Sequence, residues 1–389
     1  MKNHERTMMK LEFGYGNSTQ CVEVPKENLL GILLANEMKH GASGSEAVAL
    51  ALENPVASSK LRDLVKPGQK IAIITSDISR PLPSYDVLPA VLDELYRAGA
   101  KTEDITVVLA LGTHRQHTEE EKKCLVGKRC YEGVRCVDSD PDDCVRLGVT
   151  SRGTPVDITR IVADADFRIC LGNVEFHYFA GYSGGAKAIM PDVSTPEAIQ
   201  CNHRMMVSPD ACAGKLDGNP IREDIEEAGR ICGIDFIVNV VLDEHKRIVH
   251  AQAGDAVQAH RAACLYLDKM YRIPIREKAD VVIVSQGGAP KDANLYQTQK
   301  ALDNAKHAVK KDGTIILIGA CPEGFGSKNF ERWLLDAPDP QHMVRRIGRE
   351  FELGGHKAAA IGMVLENSSP APTPPSRSSP MMPRRAAQE

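Results

Sequence analysis

The sequence predicts an α/β protein made of two α/β domains, with the active site in the cleft between them and a Rossmann-like C-terminal part. Three observations predict it. Short uninterrupted apolar runs (KIAIIT, DITVVLAL, DFRICL, DVVIVS, TIILIG) alternate with amphipathic stretches, and such runs suit strands buried on both faces of a parallel sheet. Several runs end directly in polar, glycine-bearing segments, where the ligand crevice of an open α/β sheet lies. The chain has 389 residues, more than one domain of ~100–200 residues usually holds. The expected division is an N-terminal α/β domain over 1–270, a C-terminal α/β domain over 271–366, and a tail over 367–389.

The elements follow in order. Lys70–Thr75 is the first buried strand, and it ends in Ser76-Asp77-Ile78-Ser79-Arg80-Pro81. Asp86–Ala98 reads as an amphipathic helix closed by Gly99. Asp104–Leu111 is the second strand, ending in Gly112-Thr113-His114-Arg115, and a helix is expected from Thr118 to about Val126. Asp166–Leu171 is the third strand and runs into Gly172–His177. Thr195-Pro196-Glu197 is a helix start, with a hydroxyl at the N-cap, Pro at the first helical position and an acid in the first turn. Ile234–Leu242 and Arg247–His250 pair around Asp243-Glu244, and Ala256–Met270 is a helix linking the domains. Beyond Pro274, the strand Asp280–Ser285, the helix Leu295–Val309 and the strand Thr314–Gly319 make a βαβ unit, which implies parallel pairing. Asp339–Phe351 reads as a helix and Ala358–Leu365 as a further regular segment. The last 23 residues, Asn367–Glu389, hold six Pro and five Ser but no Val, Ile, Leu or aromatic residue, so disorder is expected there.

Lys and Arg total 48 against 52 acids, a net charge of −4. That balance argues against the broad basic face of a nucleic-acid binder. No apolar run reaches the ~20 residues of a membrane span, and no hydrophobic signal core follows the N-terminus, so a cytoplasmic chain without a membrane partner is expected. Eleven cysteines with no C-x-x-C spacing are expected to be buried reduced thiols rather than a zinc or redox site.

The densest chemistry lies in Asn173–Met206. Gly181-Tyr182-Ser183-Gly184-Gly185-Ala186-Lys187 is followed by Ala188 rather than Ser or Thr, so it is not a phosphate loop. Its glycines would let the backbone approach a bulky ligand around a lysine amine. Lys187 is then either a functional, desolvated amine or a surface lysine after a turn. His114 and His177 both follow buried strands, and two imidazoles at adjacent strand ends suit an acid–base pair near neutral pH; each alone would more often be structural. His203 is a candidate metal ligand but weak alone, since a metal site normally takes three or four protein ligands. His117, His245 and His250 read as bystanders. Arg80 suits a carboxylate or phosphate, the alternative being a salt-bridged turn. Gln297 and Lys300 sit at i and i+3 on one face of a predicted helix. Glycines 287 and 288 make no dinucleotide fingerprint, and there is no nucleophile elbow, which disfavours an NAD-linked dehydrogenase or an ordinary hydrolase.

Taken together, Ser76-Asp77-Ile78-Ser79-Arg80-Pro81, Leu111-Gly112-Thr113-His114-Arg115, the stretch from Phe176 to Lys187 with Asn202-His203-Arg204 after it, and Asn294-Leu295-Tyr296-Gln297-Thr298-Gln299-Lys300 resemble the nickel-dependent lactate racemase family, motif by motif and in order. The resemblance implies an isomerase that racemises or epimerises a 2-hydroxy acid such as lactate. It implies a nickel-pincer pyridinium mononucleotide cofactor, attached covalently to Lys187 as a thioamide and made by separate cofactor-biosynthesis and maturation proteins. His203 would be the protein's nickel ligand, the cofactor supplying two sulfurs and one carbon. His114 and His177 would be the two acid–base groups, one for each enantiomer, in a reversible hydride transfer. Asp77, Ile78, Ser79 and Arg80 would line the cofactor and substrate, and Arg80, Gln297 and Lys300 would hold the substrate carboxylate. A non-catalytic carrier of the cofactor is the rival reading; it would need Lys187 and His203 but not the His114 and His177 pair. Relatives continue in ordered structure where this chain turns Pro/Ser-rich.

Overall fold

Parallel strands buried on both faces need apolar side chains throughout, and Ile71–Ser76 shows the result: Ile71, Ala72, Ile73 and Ile74 are all buried. The computed structural model describes residues 7–366; the tail expected to be disordered lies outside them. Ile71–Ser76 sits near the middle of a six-stranded sheet. In spatial order the strands are Ile248–Gly254, Phe236–Leu242, Phe167–Val174, Ile71–Ser76, Ile105–Ala110 and Arg135–Asp138. All neighbours are parallel except the Ile248–Gly254 edge, which turns back antiparallel on Phe236–Leu242.

The order makes the site. From Ile71–Ser76 the chain adds strands outward on one side, then returns to lay Phe167–Val174 against the other side. The register Ile71↔Phe167 to Ile74↔Cys170 fixes that pairing. A reversal of strand order leaves a crevice at the carboxyl ends of the two strands flanking it. Asp77 leaves one of those strands, and Glu175 to His177 leave the other.

Helix Ser84–Arg97 buries Val87, Leu88, Val91, Leu92 and Leu95 against this sheet, the spacing of one helix face. It begins two residues earlier than Asp86. Thr118 caps Glu119–Val126 with a reciprocal bond to Glu121.

Contacts divide the chain into two compact units, and the division departs from the sequence expectation. The larger holds Leu29–Pro274 and Val344–His356; among the described residues, the smaller holds 7–28, Ile275–Met343 and 357–366. The first strands, assigned to the N-terminal domain on chain order, belong to the smaller unit for a physical reason. Met8–Tyr15 and Ser18–Pro25 form a hairpin tied to it by Ser285 Oγ donating to the Gly14 carbonyl (2.6 Å) and by Gly16 N–H donating to Asp292 Oδ2 (2.8 Å).

Within the smaller unit, Ala279–Ser285 and Val309–Ile318 pair in parallel, as a βαβ unit requires. The helix expected over Leu295–Val309 is instead two short ones, Leu295–Thr298 and Lys300–Ala305, with Gln299 between them. Val309 already pairs with Ala279. Gln297 and Lys300 therefore lie on consecutive helical turns rather than on one helix face.

No helix among the described residues is long and apolar enough to cross a membrane. All eleven cysteines are free. Only four of them (Cys130, Cys170, Cys232 and Cys264) are buried, so the expectation of buried thiols holds in part; Cys21 and Cys124 are exposed.

Candidate active site at the switch point

Asp77 is buried, and its carboxylate grips the first motif histidine. Oδ2 accepts from His114 Nδ1 at 2.7 Å, and Oδ1 accepts from Ser79 Oγ at 2.8 Å. Burial pushes the Asp77 carboxyl up, but the bonds from His114 and Ser79 and the charge of Arg80 outweigh it and hold it below its ordinary value. With Nδ1–H spent on the carboxylate, His114 presents Nε2 as an open lone pair. The side chain is 42% exposed, so that lone pair is accessible.

His117, three residues on, is a latch. Its Nε2 accepts the Ile78 N–H (3.1 Å), so Nδ1 carries the proton and donates to Asp138 Oδ1 (2.6 Å). It fastens the Asp77–Arg80 turn to the Arg135–Asp138 strand, and no nitrogen is left for a ligand.

His177 is set differently. Phe176–His177 and Gly181–Tyr182 form a two-residue antiparallel ladder, closed tightly because Gly181 (φ 77°) passes against Lys215, whose carbonyl oxygen would be 2.0 Å from a Cβ there. Gly184 crowds Asn239 in the same way, at 2.9 Å. Both glycines lie close against the protein's own groups. The ladder brings the Ala180 N–H onto His177 Nδ1 (3.2 Å), so in this arrangement the neutral ring keeps its proton on Nε2. Tyr178 stacks on the ring at 5.2 Å, and Phe179 meets it edge-on at 4.5 Å. Burial, then the charges of Lys187 and Arg80, push its pKa well below that of an ordinary histidine.

Phe179 also meets His203 edge-on, at 4.9 Å, so one buried phenyl ring packs against both imidazoles. Thr195 and Pro196 start the helix Pro196–His203 as expected, Thr195 Oγ1 accepting from Ala198 N–H. His203 falls on its last turn; the chain continues as a 3₁₀ turn, Arg204–Val207, to the end expected near Met206. Its Nδ1 meets Asn202 Oδ1 at 3.0 Å, and Phe351 flanks the ring at 5.8 Å. Desolvation lowers its pKa well below the usual range too.

Lys187 lies in the short helical turn Gly185–Ala188 and is 5% exposed. Among the described residues no hydrogen-bond or ion-pair partner reaches its ammonium. Burial brings its pKa down to about 8, with Asp192 opposing and Arg80 and Arg222 adding to the fall. The loop before it hangs from Arg222, fully buried, whose guanidinium donates to the carbonyls of Ala180, Tyr182 and Gly184.

The structure thus gathers Asp77, Ile78, Ser79, Arg80, His114, His177, Lys187 and His203 at one crevice; the Arg80 charge is felt by His177, Lys187 and His203 alike. Arg80 is exposed, and its charge also bears on Asp77. Gln297 and Lys300 belong to the smaller unit. Sequence reasoning missed Phe179, Asp192, Asn202, Arg222, Asp224 and Phe351. Asn202 had a signal, since it precedes a motif histidine; the others carried none.

A two-unit α/β enzyme with its polar side chains gathered at a switch point is the class that fold and site define. Residues 15–214 match the lactate racemase N-terminal domain and residues 275–352 the lactate racemase C-terminal domain. The lactate racemase of Thermoanaerobacterium thermosaccharolyticum is 35% identical over 364 residues, covering 91% of this chain and 85% of the relative. That of Lactiplantibacillus plantarum is 34% identical over 344 residues, covering 87% and 81%. The solved apoprotein of the Thermoanaerobacterium lactate racemase superposes with a TM-score of 0.82 at 33% identity, over 92% of this chain and 87% of that one. The chain belongs to the lactate racemase family and is an isomerase of the racemase class.

Proposed function

We propose that this enzyme racemises lactate or a closely related 2-hydroxy acid, using a nickel-pincer nucleotide held by Lys187 and His203. The observation that carries the reading is the meeting at one crevice of a buried lysine amine, without a hydrogen-bond or ion-pair partner among the described residues, and a carboxylate-anchored histidine with an open Nε2. The residues fit the group. Among the described residues no cluster of three or more side chains could hold a metal, so a metal at His203 takes one imidazole from this chain and its other donors from the organic ligand. The Lys187 amine, with a pKa of about 8, is neutral often enough to be joined to a carbonyl carbon.

When bound, the cofactor supplies a hydride acceptor and donor. The chain's residues handle protons and charge. His114 Nε2 takes the proton of the substrate hydroxyl, and Asp77 stabilises the imidazolium that results. His177 Nε2–H donates to the same oxygen from the other side; to take a proton there, its ring must first give up the Ala180 N–H and move its own proton to Nδ1. Arg80 grips the carboxylate so that the planar keto acid stays bound while it turns its other face. The cofactor comes from dedicated biosynthesis proteins, which are the expected partners.

The test is racemisation of single lactate enantiomers after co-expression with those proteins, with intact-mass measurement alongside. The parent should carry an adduct that Lys187→Ala lacks. An adduct persisting in Lys187→Ala, or no turnover of lactate or any longer 2-hydroxy acid by the loaded parent, overturns the reading.

A further inference from the structure

We propose that Asn202 and Asp224 are positioning residues that hold the His203 proton on Nδ1 and so keep Nε2 open as a metal donor. This rests on the reading of His203 as the nickel ligand. The proton assignment follows from which groups can only accept. Asp224 is fully buried on the helix Pro220–Cys232, and both of its side-chain oxygens accept hydrogen bonds. Oδ2 lies 2.7 Å from Asn202 Nδ2, so the amide turns its NH₂ toward Asp224. A second donation from the same nitrogen, to the Ile221 carbonyl at 3.4 Å, agrees.

The amide oxygen is thereby turned toward His203 Nδ1 at 3.0 Å. It too can only accept, so the ring must donate. A neutral imidazole has one proton, and if Nδ1 holds it, Nε2 has the lone pair. The far end is anchored as firmly. Asp224 Oδ1 accepts from Thr150 Oγ1 at 2.5 Å, and Thr150 Oγ1 accepts the Thr154 N–H at 3.1 Å, which leaves the hydroxyl proton for Asp224. Asn202 and Asp224 are both 0% exposed, so water offers the amide no competing partner. The orientation of one imidazole is thus set by a carboxylate two residues removed from it in the chain of bonds.

The test reads the proton directly. In apoprotein labelled with ¹⁵N-histidine, with His203 assigned by comparison with His203→Ala, the parent ring should carry its proton on Nδ1 at neutral pH. Asn202→Leu, close in volume but without an acceptor, should move it to Nε2. Asn202→Asp restores an oxygen facing the ring and should return it to Nδ1, a rescue that a mere packing role does not predict. In the loaded protein, nickel per covalent adduct should fall ~10–100-fold in affinity terms for Asn202→Leu. A parent ring protonated on Nε2 overturns the relay without any variant, as does an Asn202→Leu ring still protonated on Nδ1. Unchanged nickel per adduct in His203→Ala would instead overturn the ligand reading and leave the proton result standing.

Discussion

His114 and His177 flank the same central strand, yet their rings are held by opposite means. His114 hangs on a buried carboxylate, is nearly half exposed, and has its open nitrogen assigned in advance. His177 is held by aromatic faces and a backbone N–H, which puts its proton on the nitrogen that His114 leaves bare. The difference teaches that two histidines at neighbouring strand ends need not be mirror images in the resting protein. Under the proposed mechanism, one would wait as a base and the other as a donor that must rearrange before it can be a base.

The strongest way to break the comparison is at Asp77. Asp77→Asn can offer its NH₂ to His114 Nδ1 and force the proton to Nε2, so it should lower racemisation by ~10²–10⁴-fold, the same loss expected of His114→Ala. Steady-state turnover with each enantiomer checks this; an Asp77→Asn enzyme within tenfold of the parent would show that the carboxylate does not set the ring.

The next effect concerns the lysine whose charge bears on His177. The folded pKa of Lys187, about 8 against 10.5, means the unfolded chain binds more protons between those pH values, so stability rises with pH across that window and the full cost is present below it. Lys187→Met should therefore stabilise the apoprotein at pH 7 by up to roughly 3 kcal/mol, with the gain fading between pH 8 and 10.5. Urea unfolding across that range measures it, and a gain that does not change with pH would assign the effect to packing instead.

His117→Leu sharpens the His114 side. It leaves the Ile78 N–H and Asp138 without their buried partner, so a loss of ~1–3 kcal/mol is expected by chemical denaturation. The smallest effect belongs to the His177 side. Tyr178→Leu removes a stacked face worth ~0.5–1.5 kcal/mol and should change turnover by about tenfold or less. A loss as large as that of Asp77→Asn would make the aromatic setting the equal of the carboxylate.

Much of this was legible in the chain because its causes are local. Buried parallel strands write themselves as apolar runs, and Thr195-Pro196 announces the helix that ends on His203. Asp77, His114 and His177 follow strand ends, which is why their segments could be assigned to one crevice before any geometry. What could not be read depends on distant partners. Asp224 meets Asn202 from 22 positions away and Thr150 from 74, and nothing in their spacing marks them. Phe179 looks like one more core aromatic until two imidazoles are found against it. The Met8–Pro25 hairpin was misassigned because chain order is a poor guide to membership when a hydrogen bond spans 276 positions, as from Gly16 to Asp292. The break at Gln299 has no proline or glycine to announce it.

The strand order has a consequence for how the enzyme comes into being. The edge on which the histidines meet exists only once Phe167–Val174 has docked beside Ile71–Ser76, a closure that also joins Lys70 N–H to Asp166 Oδ2 across 96 positions. Parallel pairings of such span form slowly, because the loop must close before any contact rewards it. A growing chain that has made only its first two sheet strands holds Asp77 and His114 but neither His177 nor Lys187. The crevice is therefore a late product of folding, and a polypeptide still short of that closure lacks several of the crevice's side chains.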